Sequence, residues 1–266
     1  MSTTSRRDFL RGLSTLAIAG CAPSISGPPG PIAELCAGTG RYKGAWVYQE
    51  SERIVAYFEA TRLDEYRRVL PASFAMPERP LVFVSVIDFY EMINGATYLE
   101  SVISVLGLHE GQPGFYIVTM PVTDGDSCWG GRVSFGYPKL VRRITLERRV
   151  NRWVGVSYAP GGREPEFTLA LGGTPGEAAY DVLRLVAPMP SFTLYGGGVL
   201  RFGSFTSGRP AYELERWAPT VWKVWLGQPS LEFPREPDHL LHRLGVGRPL
   251  AGYFARVRWR SSITPG

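Results

Sequence analysis

The stretch Leu81-Val82-Phe83-Val84-Ser85-Val86-Ile87 decides the fold class of this chain. Every residue in it is apolar except Ser85, whereas a strand with one solvated face would alternate apolar and polar residues. The stretch therefore predicts a strand that is buried on both faces, in the middle of a sheet. Ser85 would then lie inside the protein.

Further strand signals recur along the chain. Runs of β-branched and aromatic residues predict strands at residues 114–120, 141–146, 153–158 and 256–260. The tripeptide Glu50-Ser51-Glu52 separates two apolar runs, at residues 46–48 and 54–58, and predicts a hairpin that turns there. Asp124-Gly125-Asp126 is likewise predicted to be a turn.

Helix signals in the sequence are few and short. They fall at residues 61–70, 178–186 and 238–244. The 31 glycines and 22 prolines also favour many turns and short strands over long helices. We expect a mainly β (α+β) protein: a closed or cone-like antiparallel β-barrel with a few flanking helices. The interior of such a barrel provides a pocket in which one lysine is shielded from water.

A candidate nucleophile ends the segment Gly131-Arg132-Val133-Ser134-Phe135-Gly136-Tyr137-Pro138-Lys139-Leu140. The lysines of the chain are Lys43, Lys139 and Lys223, and all other cationic side chains at neutral pH are arginines. Aromatic and aliphatic residues surround Lys139, and poor solvation disfavours the ammonium form over the nucleophilic amine. The same segment also fits a lysine that ends a strand and extends its amine to water.

Two motifs at matched spacing resemble the acetoacetate decarboxylase family. Gly131-Arg132 with Tyr137-Pro138-Lys139 resembles the segment that carries the family's Schiff-base lysine, and Tyr98-Leu99-Glu100-Ser101 resembles its Tyr-x-Glu-Ser motif. Weaker similarity at residues 67–71, 78–82 and 225–233 extends the resemblance from about residue 44 to the end. The resemblance implies that Lys139 forms an imine and that Glu100 is an active-site carboxylate. Without it, a glutamate after a turn is most often solvated.

The chain departs from the family pattern around this lysine. Leu140 replaces a second lysine, so burial, and not a neighbouring ammonium, would have to favour the neutral amine of Lys139. Val133 replaces a glutamate, and Ser85 falls where the family has another active-site glutamate. The set of acids and bases is therefore smaller than in the family pattern.

The family's substrate-binding arginine has two candidate positions here. An alignment without gaps back from Pro71 places Glu52 there, and a shift of one residue places Arg53 there. The resemblance therefore implies Arg53 as the residue that binds the substrate carboxylate.

These features predict a Schiff-base decarboxylase, a lyase that acts through Lys139 on acetoacetate or a related β-keto acid, with no cofactor and no metal. A Schiff-base aldolase or hydratase-dehydratase acting on oxo acids is an alternative, because the acidic set is reduced. A non-catalytic lipoprotein that binds a small ligand is another. The resemblance also implies that the chain forms a homo-oligomer.

The first residues predict export and lipidation. Ser5-Arg6-Arg7-Asp8-Phe9-Leu10 matches the twin-arginine pattern, and Ile18-Ala19-Gly20-Cys21 resembles a lipobox in which Cys21 is acylated. Residues 1–21 would be the signal, 22–43 a Pro/Gly/Ser-rich tether, and 44–266 the folded domain. We expect a periplasmic protein anchored to a membrane by its lipid. An untargeted tail with a chance arginine pair is the alternative.

Charge and cysteine usage constrain the partners. The net charge of +5 is partly due to arginines of the leader, and it gives no support to nucleic-acid binding. Beyond Cys21, the remaining cysteines are Cys36 and Cys128. They would either pair in an oxidising compartment or be buried separately.

Overall fold

The computed structural model of the protein describes residues 36, 48–92, 97–186, 189–202 and 213–264, all within one compact unit, Pro31–Gly266. The predicted signal, Cys21 and nearly all of the tether lie outside these residues. The strands are β1 Tyr48–Glu59, β2 Phe74–Ala75, β3 Leu81–Met92, β4 Tyr98–His109, β5 Gln112–Val122, β6 Lys139–Val141, β7 Ile144–Arg149, β8 Arg152–Tyr158, β9 Pro165–Gly172, β10 Ser191–Tyr195, β11 Gly198–Phe202, β12 Glu213–Glu232 and β13 Pro249–Thr264. The helices are α1 Leu63–Val69, α2 Gly125–Phe135, α3 Ala179–Val186 and α4 Leu240–Arg243.

The strands form one mainly antiparallel sheet. Its order is β11-β10-β5-β4-β3-β1-β13-β12-β9-β8-β7, with β2 on β4 and β6 on β5. β10 and β6 each pair with β5 in parallel. A mainly β fold with few helices is confirmed. Closure into a barrel is not, because within the described residues the hydrogen-bonded path is open between β11 and β7.

The open sheet encloses its core by folding back on itself. Gly155 of β8 lies so close to Val86 of β3 that a Cβ atom on the glycine would be 2.7 Å from the valine side chain. The Ser101 hydroxyl of β4 donates a hydrogen bond to Ser157 Oγ of β8 at 3.0 Å. One end of the sheet thus packs face to face on its middle, which shields the core without a closed ring of hydrogen bonds.

The central strand is confirmed as predicted. β3 runs from Leu81 to Met92 between β1 and β4, and Ser85 has no exposed surface. The predicted helices are also present, although α1, α3 and α4 are each shorter than the sequence pattern suggested. Within the described residues, no helix is both long and apolar enough to span a membrane.

The predicted hairpin at residues 50–52 is wrong. β1 continues through these residues as one strand, with irregular pairing to β3 near Glu50. The acidic side chains that suggested a turn have partners on neighbouring strands: Tyr90 Oη donates to Glu50 at 3.0 Å, and Arg256 donates to Glu52. Cross-strand pairs therefore make a charged segment compatible with a continuous strand.

The predicted turn at residues 124–126 is in fact the start of α2. The Asp124 side chain accepts a hydrogen bond from the Ser127 backbone N–H at 2.7 Å and caps the start of the helix, and Gly136, with φ 63°, caps its end. The helix was missed because glycines interrupt its sequence and lower its intrinsic propensity. The predicted strand at 141–146 is likewise two strands, β6 and β7.

The two faces of the central strands differ in composition. On β1, Ile54, Ala56 and Phe58 point to one face, which we call the core face, and they belong to the largest apolar cluster. The alternate residues point to the other face, which we call the site face because it carries the candidate residues Arg53 and Glu100. Register places these two in one row across the sheet, since Arg53 pairs with Ile87 and Ile87 pairs with Glu100.

Candidate active site

A buried ion pair joins the two residues predicted to be catalytic. Lys139 Nζ lies 2.8 Å from Glu100 Oε2, and the two residues are 4% and 6% exposed. Glu100 is on β4, and Lys139 begins β6, which pairs with β5 at Met120. The amine therefore does not extend to water, as the alternative interpretation of this lysine required.

Two tyrosine rings and a glycine of α2 surround the Lys139 side chain. Its Nζ lies 5.1 Å from the centre of the Tyr98 ring and 5.6 Å from that of Tyr137. A Cβ atom on Gly131 of α2 would lie 2.5 Å from Lys139 Cδ. Only glycine at this position leaves room for the lysine along the helix.

Arg132 explains why the motif keeps an arginine next to that glycine. Its side chain donates a hydrogen bond to the backbone carbonyl of Lys139, which fixes the start of β6 against α2. Burial lowers the pKa of Arg132. The Gly131-Arg132 pair thus makes room for the lysine and holds its backbone.

Arg53 lies on the site face, two strands from Glu100. Adjacent strands are about 4.8 Å apart, so the Cα atoms of these residues are separated by about 10 Å. Arg53 is 8% exposed and donates to Ser51 Oγ at 3.2 Å. Burial lowers its pKa, and the charge of Glu100 is among the effects that oppose this shift. Glu52, the other alignment candidate, points to the core face and pairs with Arg256.

A pair of tyrosines, which sequence analysis missed, lies next to Arg53. Tyr57 of β1 and Tyr253 of β13 lie on the same face as Arg53, since Tyr253 pairs with Val55, and burial raises the pKa of both phenols. Both phenols are therefore neutral at physiological pH. Tyr57 lies four residues after Arg53 on one strand, a spacing that puts both on the same face and could have been noticed in the sequence.

Ser85 is also on the site face. It pairs with Val55 and Val102, which are two residues from Arg53 and Glu100 on their strands. The Ser85 hydroxyl is fully buried, and its oxygen has no hydrogen-bond partner within the described structure.

The cysteine question is resolved in favour of pairing. Cys36 and Cys128 form a disulfide, with their Cα atoms 5.3 Å apart and a sequence separation of 92. Cys128 is part of α2, the helix that covers Lys139, and packs in a cluster with Tyr98. The disulfide therefore ties residue 36 to the helix beside the lysine.

The histidines are not arranged as metal ligands. In the part of the chain that the structure describes, no group of three or more His, Cys, Asp or Glu side chains is placed to hold a metal ion. His239 lies with Nε2 2.9 Å from the Glu166 carbonyl oxygen and stacks on Phe233.

The site thus consists of a lysine buried against a glutamate, on a mainly β sheet and next to a helix that carries a glycine. Residues 43–263 match the family model described as acetoacetate decarboxylase (ADC). The chain therefore belongs to the acetoacetate decarboxylase family.

Individual relatives match part of the chain. An acetoacetate decarboxylase of Burkholderia mallei is 30% identical over 101 residues, which span 38% of this chain and 41% of the relative. An acetoacetate decarboxylase of Burkholderia pseudomallei matches equally well. The chain thus aligns with about two fifths of the length of these curated relatives.

Solved structures share the fold over most of the chain. A structure of acetoacetate decarboxylase superposes with a TM-score of 0.67 at 16% identity, covering 85% of this chain and 91% of that one. The enzyme from Legionella pneumophila gives 0.63 at 18% identity, covering 84% and 88%. MppR, an enduracididine biosynthesis enzyme solved with the condensation product of pyruvate and imidazole 4-carboxaldehyde, gives 0.62 at 13%, covering 85% and 90%. These likenesses establish the fold.

Proposed function

We propose that this protein is a Schiff-base-forming decarboxylase that acts on acetoacetate or a related β-keto acid, with Lys139 as the nucleophile. The observation that carries the proposal is the buried contact of 2.8 Å between Lys139 Nζ and Glu100 Oε2, in a chain of this family.

The first step frees the amine. Glu100 is within hydrogen-bond distance of the Lys139 ammonium and accepts its proton, which leaves a neutral amine beside the keto carbon. The amine adds to that carbon, the keto oxygen leaves as water, and a protonated imine remains. Glu100 supplies protons to this exchange.

The iminium then allows carbon dioxide to leave. The bond between the α carbon and the carboxylate breaks, and its electron pair moves toward the iminium nitrogen to form an enamine. Protonation of the α carbon and hydrolysis release a ketone and restore Lys139. The surrounding rings of Tyr98 and Tyr137 keep bulk water away from the imine.

Arg53 and Tyr253 hold the substrate carboxylate in this proposal. Arg53 offers a cation on the same face as Glu100. Burial raises the pKa of Tyr253 and keeps its phenol neutral, so its hydroxyl can donate a hydrogen bond to an anion. The pair of donors would orient the bond that breaks.

Reduction by borohydride tests the proposed imine. With acetoacetate or pyruvate present, borohydride should add covalent mass at Lys139 of the wild type. Lys139→Arg should remain folded, because it keeps a cation beside Glu100, and should add none. Lys223→Ala is the matched control, because Lys223 is exposed and stacks on Trp225 at 4.3 Å; it should be labelled like the wild type. A wild type that stays unlabelled with a panel of oxo acids contradicts the proposal.

An aldolase or hydratase-dehydratase is the second candidate. The fold shared with MppR, a protein solved with pyruvate and with a pyruvate condensation product, favours it, as does Ser85 in place of an acid. Release of carbon dioxide from β-keto acids separates the two. A labelled Lys139 without carbon dioxide release would favour the second candidate.

We propose further that the protein is exported by the twin-arginine route and held in the periplasm at a membrane by acylated Cys21. The disulfide between Cys36 and Cys128 supports an oxidising compartment. Cys21→Ser should move the protein from the membrane fraction to the soluble fraction of cells. Retention of that variant in the membrane fraction would contradict the anchor.

A further inference from the structure

One polar group on the site face has no part in the proposed chemistry. Ser85 Oγ is fully buried and has no hydrogen-bond partner within the described residues. Buried hydroxyls in folded proteins are nearly always bonded to protein, water or ligand. An unbonded hydroxyl on the same face as a candidate nucleophile therefore points to a ligand atom.

The position of Ser85 differs from that of the carboxylate-binding residues. Arg53, Ile87 and Glu100 form one row across the strands. Ser85 lies off this row, two residues along β3 from Ile87, between Val55 and Val102. A keto carbon bound at Lys139 carries two substituents. The row of Arg53, Ile87 and Glu100 directs the substituent with the carboxylate toward Arg53. The other substituent can extend toward Ser85.

We propose that Ser85 binds an oxygen on the arm of the substrate that does not carry the carboxylate. This inference rests on the proposed Schiff-base function and names its substrate class: β-keto acids with a hydroxyl on the carbon beyond the keto group, of which 4-hydroxy-3-oxobutanoate is the simplest.

The oxygens of acetoacetate cannot satisfy Ser85. Its keto oxygen leaves as water when the imine forms, and its carboxylate faces Arg53. Its methyl group would lie against the Ser85 hydroxyl and leave that hydroxyl unbonded. A hydroxyl on that carbon can both donate to and accept from a serine.

The added hydroxyl leaves the reaction balanced. The bond to the carboxylate still breaks, its electron pair still moves to the iminium nitrogen, and carbon dioxide leaves. Protonation and hydrolysis then give hydroxyacetone in place of acetone, and no oxidant or reductant is required.

Carbon dioxide release from acetoacetate and from 4-hydroxy-3-oxobutanoate tests the inference. The wild type should have a kcat/KM at least about 10-fold higher for the hydroxylated acid, since a site built for a hydroxyl discriminates against a substrate without one. Ser85→Ala should lose that preference, because its kcat/KM should fall for the hydroxylated acid and not for acetoacetate. Ser85→Cys, which nearly preserves the side-chain volume, should lose the preference as well. Ser101→Ala, a buried serine on the core face, should keep the preference.

Three outcomes overturn the inference. One is a wild type without preference for the hydroxylated acid. Another is an equal loss for both acids in Ser85→Ala, which would mean that the serine holds a water used with every substrate. The last is the absence of any borohydride-trapped imine at Lys139 with either acid, which refutes the proposed function as well. A trapped imine with no preference refutes the inference alone.

Discussion

The core face and the site face are made by alternate residues of the same strands, yet they bury different chemistry. On β1 the core face has Ile54, Ala56 and Phe58, and the site face has Arg53 and Tyr57. Both faces are shielded from water, so the polar residues of the site face are not there for solvation. Buried charges add little net stability because desolvation offsets their attraction. The buried charges of Arg53 and Glu100 both lie on the site face, which favours a functional role for that face.

Two buried serines show the same difference on a smaller scale. Ser101 on the core face donates to Ser157 at 3.0 Å, whereas Ser85 on the site face has no bonded partner in the described structure. The folded protein supplies a hydrogen-bond partner for the Ser101 hydroxyl. In our proposal, the partner of the Ser85 hydroxyl is a ligand. Burial alone therefore does not distinguish a structural serine from a ligand-binding one.

The largest expected effect is a loss of stability on the core face. Phe254 is fully buried and stacks on Trp153 with ring centres 4.0 Å apart. Phe254→Ala should lower the free energy of unfolding by about 3–5 kcal/mol, because it leaves a cavity between the layers. Urea unfolding measures this loss, and borohydride labelling of Lys139 in the folded variant should be unchanged. A loss below about 1 kcal/mol would mean that this face is loosely packed.

The sequence predicted the layers better than their connections. The apolar run of β3 identified a strand buried on both sides, and the resemblance to the acetoacetate decarboxylase family singled out Glu100 and Lys139, which lie in contact. The course of β1 through Glu50 and Glu52 was not predicted, because its acidic residues are held by partners that are distant in sequence. The helix α2 was not predicted for a different reason. Its glycines lower the helix propensity of the segment, and one of them, Gly131, leaves the space that the Lys139 side chain occupies.

Contacts across strands account for the rest of the site. Tyr57 and Tyr253 are far apart in the chain and meet only because β1 pairs with β13. The choice between Glu52 and Arg53 likewise depended on which of two adjacent residues points to the site face. Neighbouring residues of a strand point to opposite faces of the sheet. Which of the two shares a face with Glu100 depends on the register of the strands in the folded sheet.

An intermediate effect is expected at α2, the helix that packs against Lys139. Gly131→Ala should place a methyl group in the space of the Lys139 side chain and displace its amine from Glu100. We expect kcat/KM for decarboxylation to fall by about 10²-fold, since small displacements of a reacting group are costly. The free energy of unfolding should not fall correspondingly, because alanine favours a helix over glycine by about 1 kcal/mol.

Steady-state kinetics and urea unfolding of the same preparation separate these two effects. Gly176→Ala is the control, because Gly176 has ample space around it and lies outside α2. Equal activity of Gly131→Ala and wild type would show that the lysine tolerates displacement, and the glycine would then have no role in the site.

The smallest expected effect comes from the two serines, and it tests the comparison most directly. Ser101→Ala removes the partner of the buried Ser157 hydroxyl and should lower the free energy of unfolding by about 1 kcal/mol. Ser85→Ala removes a hydroxyl that has no partner, so its stability should stay within about 0.5 kcal/mol of the wild type or exceed it. Urea unfolding of both variants without substrate measures the contrast. If Ser85→Ala were the less stable of the two, its hydroxyl would be bonded within the folded protein, and the distinction between the two faces would fail at this position.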